Sequence, residues 1–494
     1  MEHYKVAIIG AGPGGYETAI RLNQLNISVV CFEKERIGGV CLNKGCIPTK
    51  TLVKSADLYH EMKNAAEFGL ENCDFPIYYQ KILNRKRLVV EKLVTGIEYL
   101  FKKRQISIYK KTITKIKKEK DGYSIWGINS DGIASSLAMT KGDEDGIASS
   151  LAMTEREEYQ LCTCEYVILA TGSKPKSLPF LPFDGAKILS SDNILEIDKL
   201  PKSLTIIGGG VIGCEFASIY RQLGVEVTII EFLPELVATE DEEISKRLNL
   251  VMKKSGIKIM TKYSVESGRI NENHVELTVR SLMNDSISTI NSEQVLISVG
   301  RKPIFDIEVI DFELKMTKGF FDINEQCQTN EKNIFAIGDV TGKLMLAHTA
   351  SKQGLMVADY INNGKRNNLN YQNIPSCIFT NPEIASCGLT ESQAKEKFDD
   401  IKIGRFPFAA NGKALASNAS FGFVKTIIDS KTDLIIGIHI IGYLATELIA
   451  QASILINSSA TVNDVEKIIF AHPTISECIM ESIEDTHKRG IHLI

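Results

Sequence analysis

Apolar runs punctuated by glycine dominate the first two-thirds of the chain. Residues 5–9 form a continuous apolar stretch at the length of a buried parallel strand. A glycine-rich turn, a helical stretch from Tyr16 to Leu25 and a second apolar run, Val29–Glu33, follow. The pattern repeats at Leu204–Ile207, where a glycine turn leads into a helix to about Leu223 and a strand Val225–Ile230 that ends at Glu231. Both read as βαβ units. Between them, residues 51–104 are helical in pattern and Arg104–Tyr123 alternates as a strand does. Glu165–Ser173, Val295–Pro303 and Asn333–Asp339 are apolar strands that leave through glycine turns, and Met345–His348 opens a helix. From about Asn370 the phosphate-type turns stop, and strand-like runs such as Leu434–Ile441 alternate with helices.

The predicted fold class is α/β, with two Rossmann-like dinucleotide-binding domains followed by an α+β domain. The predicted boundaries are 1–173, 174–300, a central segment 301–369 that returns to the first domain, and 370–494. Near 127–158 the run Asp131–Thr140 recurs unchanged at Asp145–Thr154. Two copies do not build a solenoid, so the repeat reads as a duplicated, mobile hairpin loop.

The glycine turns carry the first chemistry. Gly10, Gly12 and Gly15 have the G-x-G-x-x-G spacing between strand and helix, and Glu33 ends the next strand. Such glycines let a pyrophosphate approach the helix N-terminus, and the acid can accept hydrogen bonds from ribose hydroxyls. Gly208, Gly210 and Gly213 repeat the spacing, with Glu231 as the acid. A carboxylate there suits a free ribose diol and repels a 2′-phosphate. No arginine follows in Phe232–Glu235, so the second site reads as one for NAD rather than NADP.

Cys41 and Cys46 follow Gly38 and Gly39 with four residues between them. Structural zinc would need two further ligands, and no second pair stands at matching spacing, so no metal is expected. A thioredoxin-type pair has two residues between. On a helix two thiols so spaced are close enough to close a disulfide, and they are equally compatible with two buried thiols. Cys162 and Cys164 share one face of a strand without further ligands. Near the C-terminus, His472 precedes Pro473, a residue suited to the start of a helix, and Glu477 would reach back to the imidazole from the first turns. Such a pair is a candidate general base, although a surface histidine beside a carboxylate is more often without function.

Composition narrows the classes. At 494 residues the chain is too long for one core. With 44% hydrophobic and 24% charged residues it reads as soluble and globular. A net charge of −4 excludes an electrostatic case for nucleic acid or an anionic membrane, and no apolar run spans a bilayer. Eleven cysteines without framework spacing fit a reducing compartment, hence a cytoplasmic location. The N-terminus lacks the pattern of a signal or transit peptide, and no fused lipoyl domain is expected ahead of the first strand.

The segment Gly38–Lys50, with Leu42-Asn43 and Ile47-Pro48-Thr49-Lys50 around the cysteines, resembles the redox-active segment of the flavoprotein disulfide reductases. The resemblance runs from Val6 to about Ile483, apart from the insertion, and is strongest to members that oxidise dihydrolipoamide. It implies FAD at the first glycine turn and NAD at the second. It implies that Cys41 exchanges with substrate sulfur, that Cys46 lies against the flavin, and that the two form a redox-active disulfide. His472 would be the base and Glu477 its partner. The FAD contacts implied by matching motifs include Glu33, Gly38, Gly39, Lys50, Thr171, Gly172, Ser173, Asp339 and the segment Met345, Leu346, Ala347 and His348. The implied NAD contacts run from Gly208 to Glu215 and include Glu231 and Gly300. The family also implies a homodimer, in which the histidine serves the partner's cysteines. The implied macromolecular substrate is a lipoylated acyltransferase or carrier protein of 2-oxo acid dehydrogenase or glycine cleavage complexes.

Two positions depart from the family pattern. Val40 stands where threonine is common, and Tyr109-Lys110-Lys111 where a glycine near the FAD adenosine is common. The rival readings are a sister enzyme such as a glutathione reductase, disfavoured by Glu231, and a non-catalytic flavoprotein binding subunit, disfavoured by the intact cysteines and His472.

Overall fold

A computed structural model describes residues 2–71, 75–130 and 157–493. It divides into two compact units. The first comprises Met1–Pro48, Arg87–Lys174 and Arg301–Leu369; the second comprises Thr49–Lys86, Pro175–Gly300 and Asn370–Ile494.

The first unit is built on a seven-stranded sheet. Its parallel part places His3–Ile9 between Val29–Glu33 and Tyr159–Leu169, with Ser107–Glu119 beyond the former and Ile334–Ala336 beyond the latter. Val6, Ala7, Ile8, Val167, Ile168 and Leu169 are wholly buried, as strands covered on both faces must be. Ser107–Glu119, Gly122–Asn129 and Tyr159–Leu169 continue as an antiparallel meander. The duplicated stretch falls within residues 131–156, outside the described residues, and the strands on either side of it pair with each other.

The second unit holds two larger sheets. One is wholly parallel, in the order Lys258–Thr261, Glu226–Glu231, Ser203–Ile207, Gln294–Ile297, Ile188–Leu189. It repeats the plan of the first unit: the strand before the glycine turn is central, and the strand bearing the acid lies beside it. The other sheet is antiparallel, in the order Ser376–Ile378, Ile384–Gly388, Ile435–Gly442, Gly422–Asp429, Ile401–Pro407. Helices Ala445–Asn457 and Glu477–Glu484 bury their apolar sides in the same core cluster as the inward residues of this sheet.

Three local expectations change. The helical pattern of 51–104 is two helices, Cys46–Lys63 and Tyr79–Arg104, with a short 3-10 turn at Ala65–Phe68 after the first. The cysteines do not share one helix, because Gly45 breaks the chain between Gly39–Lys44 and the helix that Cys46 opens. Pro473 does not begin a helix. It follows a cis peptide bond from His472, and the helix starts at Glu477.

Candidate active site

The first glycine turn has the geometry its sequence requires. Gly10 adopts φ +104°, where a side chain would strike the Ala170 carbonyl, and a side chain on Gly15 would strike the Gly10 carbonyl. The turn feeds the helix Pro13–Gln24, whose N-cap Gly12 supplies no side-chain cap. Glu33 closes the site from the next strand. Its carboxylate accepts the Ala11 amide at 2.8 Å and the Glu35 amide at 2.9 Å. Burial pushes its carboxyl above the usual range, against the pull of these two amides.

The redox segment packs on this turn. The Gly38 amide donates to the Ala11 carbonyl at 2.8 Å. A Cβ on Gly39 would lie 2.6 Å from the Gly12 Cα, so the two backbones touch where neither has a side chain. Cys41 lies in the short helix Gly39–Lys44, and Cys46 opens Cys46–Lys63; both are half-buried. Gly45 folds the link tightly, since a Cβ there would sit 3.0 Å from the Val40 carbonyl and 3.3 Å from the Cys41 Cα. Asn43 fastens the segment by donating to the Gly39 carbonyl at 2.9 Å and the Ile37 carbonyl at 3.1 Å. Its buried Oδ1 has no protein partner.

Thr171, Gly172, Ser173 and Asp339 also come together in the first unit. Thr171 Oγ1 donates to the Ile304 carbonyl at 2.5 Å, and the Ile304 amide donates to the Gly172 carbonyl at 3.0 Å. Ser173 Oγ donates to Asp339 Oδ2 at 2.5 Å. Arg301, which the sequence did not single out, holds Ser173 through its Oγ at 2.7 Å and its carbonyl at 2.8 Å. Met345 and Leu346 lead into the helix Ala347–Asn363, which begins with Ala347 and His348.

The second glycine turn reproduces the first. Gly208 adopts φ +106°, and a side chain on Gly213 would strike the Gly208 carbonyl. A Cβ on Gly210 would meet nothing within 4 Å, so the N-terminus of helix Val211–Gln222 faces open space of the kind a phosphate fills. Glu231 accepts the Gly209 amide at 2.5 Å and the Leu233 amide at 2.7 Å, the same two-amide clamp that holds Glu33. Gly300, at φ +104°, accepts the Lys176 amide at 3.0 Å. Lys50 and Glu215, expected to contact FAD and NAD respectively, form an ion pair with each other: both carboxylate oxygens lie 2.9 Å from the ammonium. The Phe379 amide donates to Glu215 at 3.0 Å, and the Phe379 ring lies under the Lys50 ammonium at 4.4 Å.

His472 and Glu477 meet as expected. The imidazole Nδ1 lies 2.8 Å from Glu477 Oε1, and Oε2 accepts the Thr474 amide at 2.8 Å. The histidine side chain is 78% exposed, whereas that of Glu477 is 20% exposed. Burial opposes ionisation of Glu477, but the Thr474 amide and His472 outweigh it and hold the carboxyl below its usual range. An anchored carboxylate thus orients an accessible imidazole. The cysteines lie in the first unit and this pair in the second.

Cys162 and Cys164 are buried on one strand face, and burial pushes Cys162 up to about 12, so neither is a ready nucleophile. Among the described residues no cluster of potential ligands could hold a metal ion, and no helix is long and apolar enough to cross a membrane.

The chain is similar to known proteins along nearly its whole length. A dihydrolipoyl dehydrogenase of Bacillus subtilis is 39% identical over 490 residues, 99% of each chain. The mitochondrial dihydrolipoyl dehydrogenase of Schizosaccharomyces pombe is 36% identical over 484 residues, covering 97% of this chain and 89% of that one. The crystal structure of LpdA from Mycobacterium tuberculosis shares the fold, with a TM-score of 0.84 at 23% identity and coverage of 97% and 99%. Residues 4–354 match the pyridine nucleotide-disulphide oxidoreductase family, and residues 374–483 match the dimerisation domain of the pyridine nucleotide-disulphide oxidoreductases. The chain belongs to the pyridine nucleotide-disulphide oxidoreductase family.

Proposed function

We propose that the chain catalyses the dihydrolipoyl dehydrogenase reaction, oxidising a protein-bound dihydrolipoyl dithiol with NAD as final acceptor. FAD and NAD are the cofactors, held at the first and second glycine turns; bound FAD relays an electron pair from thiol to nicotinamide. Glu33 holds the ribose of the first dinucleotide, and Gly38, Gly39, Thr171–Ser173, Asp339 and Met345–His348 line its site. Glu231 holds the ribose of the second, beside Gly208–Glu215 and Gly300. Lys50 is paired with Glu215.

The thiol chemistry follows from the side chains. His472 Nε2 takes the proton of one substrate thiol, and Glu477 fixes the imidazole tautomer and stabilises the imidazolium that forms. The resulting thiolate attacks Cys41 Sγ and breaks the Cys41–Cys46 bond, with Cys46 leaving as thiolate. The second substrate thiol then displaces Cys41 from the mixed disulfide, its proton passing to the departing Cys41 Sγ. The products are the lipoyl disulfide and the reduced cysteine pair.

The observation that carries this reading is the exposed His472 imidazole held by the anchored Glu477 carboxylate. It provides a base open to a substrate thiol. The full-length likeness to dihydrolipoyl dehydrogenases supports the choice of dithiol. The dimerisation domain supports a homodimer in which His472 serves the partner's cysteines. A lipoylated acyltransferase or carrier protein of 2-oxo acid dehydrogenase or glycine cleavage complexes would present the substrate, in the cytoplasm. The proposed domains are 1–173 for FAD, 174–300 for NAD, 301–369 returning to the FAD domain, and 370–494 at the dimer interface. Purified protein should turn over dihydrolipoamide with NAD far faster than glutathione disulfide with NADPH. The opposite preference would overturn the reading.

A further inference from the structure

A loop, residues 232–241, runs from the strand that ends at Glu231 to the helix Glu242–Lys254. Two of its residues grip the second glycine turn. The Val237 amide donates to the Gly209 carbonyl at 2.9 Å, and Leu236 fills the space that a side chain on Gly209 would need. The Gly209 amide donates to Glu231 at 2.5 Å, and the Cys214 thiol also reaches the Gly209 carbonyl, at 3.3 Å. Both backbone polar groups of the middle glycine are therefore held by Glu231 and the loop that follows it. Val237 does this under strain. It is buried and adopts φ +43°, a left-handed conformation that a β-branched residue takes only under constraint. Such strain persists where the surroundings over-determine it, and it gathers at functional sites. Without a constraint the backbone would relax and the Val237 amide would leave Gly209.

The constraint comes from the antiparallel sheet of the same unit. The Glu240 amide donates to the Val237 carbonyl at 2.8 Å. The Glu240 carboxylate accepts Ser376 Oγ on one oxygen at 3.1 Å and Ser386 Oγ on the other at 2.7 Å. The two serines stand directly opposite each other on neighbouring antiparallel strands, so one face of the sheet offers both hydroxyls. The next residue, Asp241, accepts the Lys425 ammonium at 2.8 Å and the Glu391 amide at 3.0 Å. A continuous set of contacts thus runs from the antiparallel sheet through Glu240 and Val237 to the glycine turn. Glu240, Ser376 and Ser386 are not among the contacts implied by the family motifs.

We propose that Glu240 is a positioning residue for the second dinucleotide site: pinned by Ser376 and Ser386, it holds the strained Val237 against Gly209 and keeps the glycine turn in its binding shape. The inference rests on the reading that this turn holds NAD.

The test uses the full-length, FAD-bound protein as wild type, Glu240→Ala, Ser376→Ala with Ser386→Ala, and the triple variant. Three quantities are measured: KM for NAD, the inhibition constant of ADP-ribose against NAD, and the rate of anaerobic flavin reduction by dihydrolipoamide without NAD. ADP-ribose carries the diphosphate and both riboses but cannot accept hydride. Glu240→Ala should raise the first two constants by roughly 3- to 10-fold, and the serine pair should do the same. The triple variant should be no weaker than the weaker of its parents, because each breaks the same linkage. Flavin reduction should stay within about twofold of wild type in all of them, which a general loss of structure would not allow. The proposal is overturned if Glu240→Ala keeps the wild-type constants for NAD and ADP-ribose, whatever its melting temperature. It is overturned equally if the losses multiply in the triple variant, or if flavin reduction slows as much as NAD binding weakens. A wild-type enzyme whose flavin is reduced by dihydrolipoamide but passes no hydride to NAD would instead overturn the underlying reading of the second turn, and this inference with it.

Discussion

Lys50 presents its ammonium 2.9 Å from both carboxylate oxygens of Glu215, although 165 residues separate them in sequence. Glu215 is nearly sealed, its side chain 6% exposed, whereas that of Lys50 is 30% exposed. Removing the lysine leaves the carboxylate, among the described residues, with the Phe379 amide as its hydrogen-bond donor. Breaking a fully buried pair costs about 3–5 kcal/mol, and the partial exposure of Lys50 lowers that to about 2 kcal/mol. Lys50→Ala should therefore lower the urea midpoint measurably. Glu215→Gln should cost less, because its amide oxygen still accepts from Phe379. A neutral Lys50→Ala would show that the pair does not stabilise the fold.

A second ion cluster makes stability depend on pH. Lys425, whose side chain is 1% exposed, lies 2.8 Å from Asp241, 2.8 Å from Glu391 and 3.0 Å from Glu243. Burial opposes the lysine charge, but the carboxylates outweigh it and hold its pKa above the ordinary value. Arg405, and then Lys425, depress Glu243 to about 2. Burial works against ionisation of Asp241 and Glu391, but their hydrogen bonds win and lower both. The unfolded chain therefore takes up protons on these carboxyls first as pH falls. Their contribution is complete above about pH 4.5 and is lost progressively toward pH 2. His439, buried beside them and held below its usual pKa chiefly by burial, acts in the same direction from about pH 6.5 downward. Lys425→Met should cost about 3–5 kcal/mol near neutrality. Thermal midpoints across pH 2–7 should fall less steeply in that variant than in wild type.

Separation along the chain explains what could be read from sequence. Glu33 reaches back 22 residues to the Ala11 amide, and Glu231 the same distance to Gly209, so each clamp lies within one βαβ pattern. His472 and Glu477 are five apart, and the cysteines share one short segment. All of these are visible as local motifs. Lys425 and Asp241 are 184 residues apart, and either alone looks like a solvated surface charge. Residue type and motif position do not disclose that Lys50 and Glu215 pair, because tertiary packing brings them together. Glu240 carries no spacing signal: its serine partners lie 136 and 146 residues further on, and meet it only once the chain is folded. The break at Gly45 escaped a helical reading because sequence periodicity does not register the close approach of Gly45 to Val40 and Cys41.

Cofactor choice should depend on Glu231. Its carboxylate is fixed by the Gly209 and Leu233 amides and cannot swing away from an added phosphate without losing both bonds. A 2′-phosphate about 4 Å away would meet about 4 kcal/mol of repulsion at an effective dielectric of ~20, reduced further by solvent. Wild type should strongly prefer NAD over NADP in kcat/KM. Phe232 is 62% exposed, so Phe232→Arg is sterically tolerable there. Glu231→Gln combined with Phe232→Arg should narrow the preference at least tenfold. Equal use of the two cofactors by wild type would remove Glu231 from the ribose site.

His472 should act on the cysteines of the other protomer. It stands in the domain matching the family's dimerisation module, with its side chain exposed and its tautomer set by Glu477. A positioned base contributes about 10²–10⁴-fold, so His472→Gln should slow dithiol oxidation by that order while FAD remains bound. Glu477→Gln should slow it as well, because one amide oxygen cannot accept from both the Thr474 amide and Nδ1–H, and an NH2 turned to Nδ1 puts the imidazole proton on Nε2. Geometry across the dimer is tested by mixing inactive parents. Cys46→Ser chains combined with His472→Gln chains give heterodimers with one doubly defective site and one intact site. Such a mixture should recover up to half the wild-type activity of the heterodimer fraction, although each parent is nearly inactive. Verified subunit exchange without recovery would place each complete site within one chain.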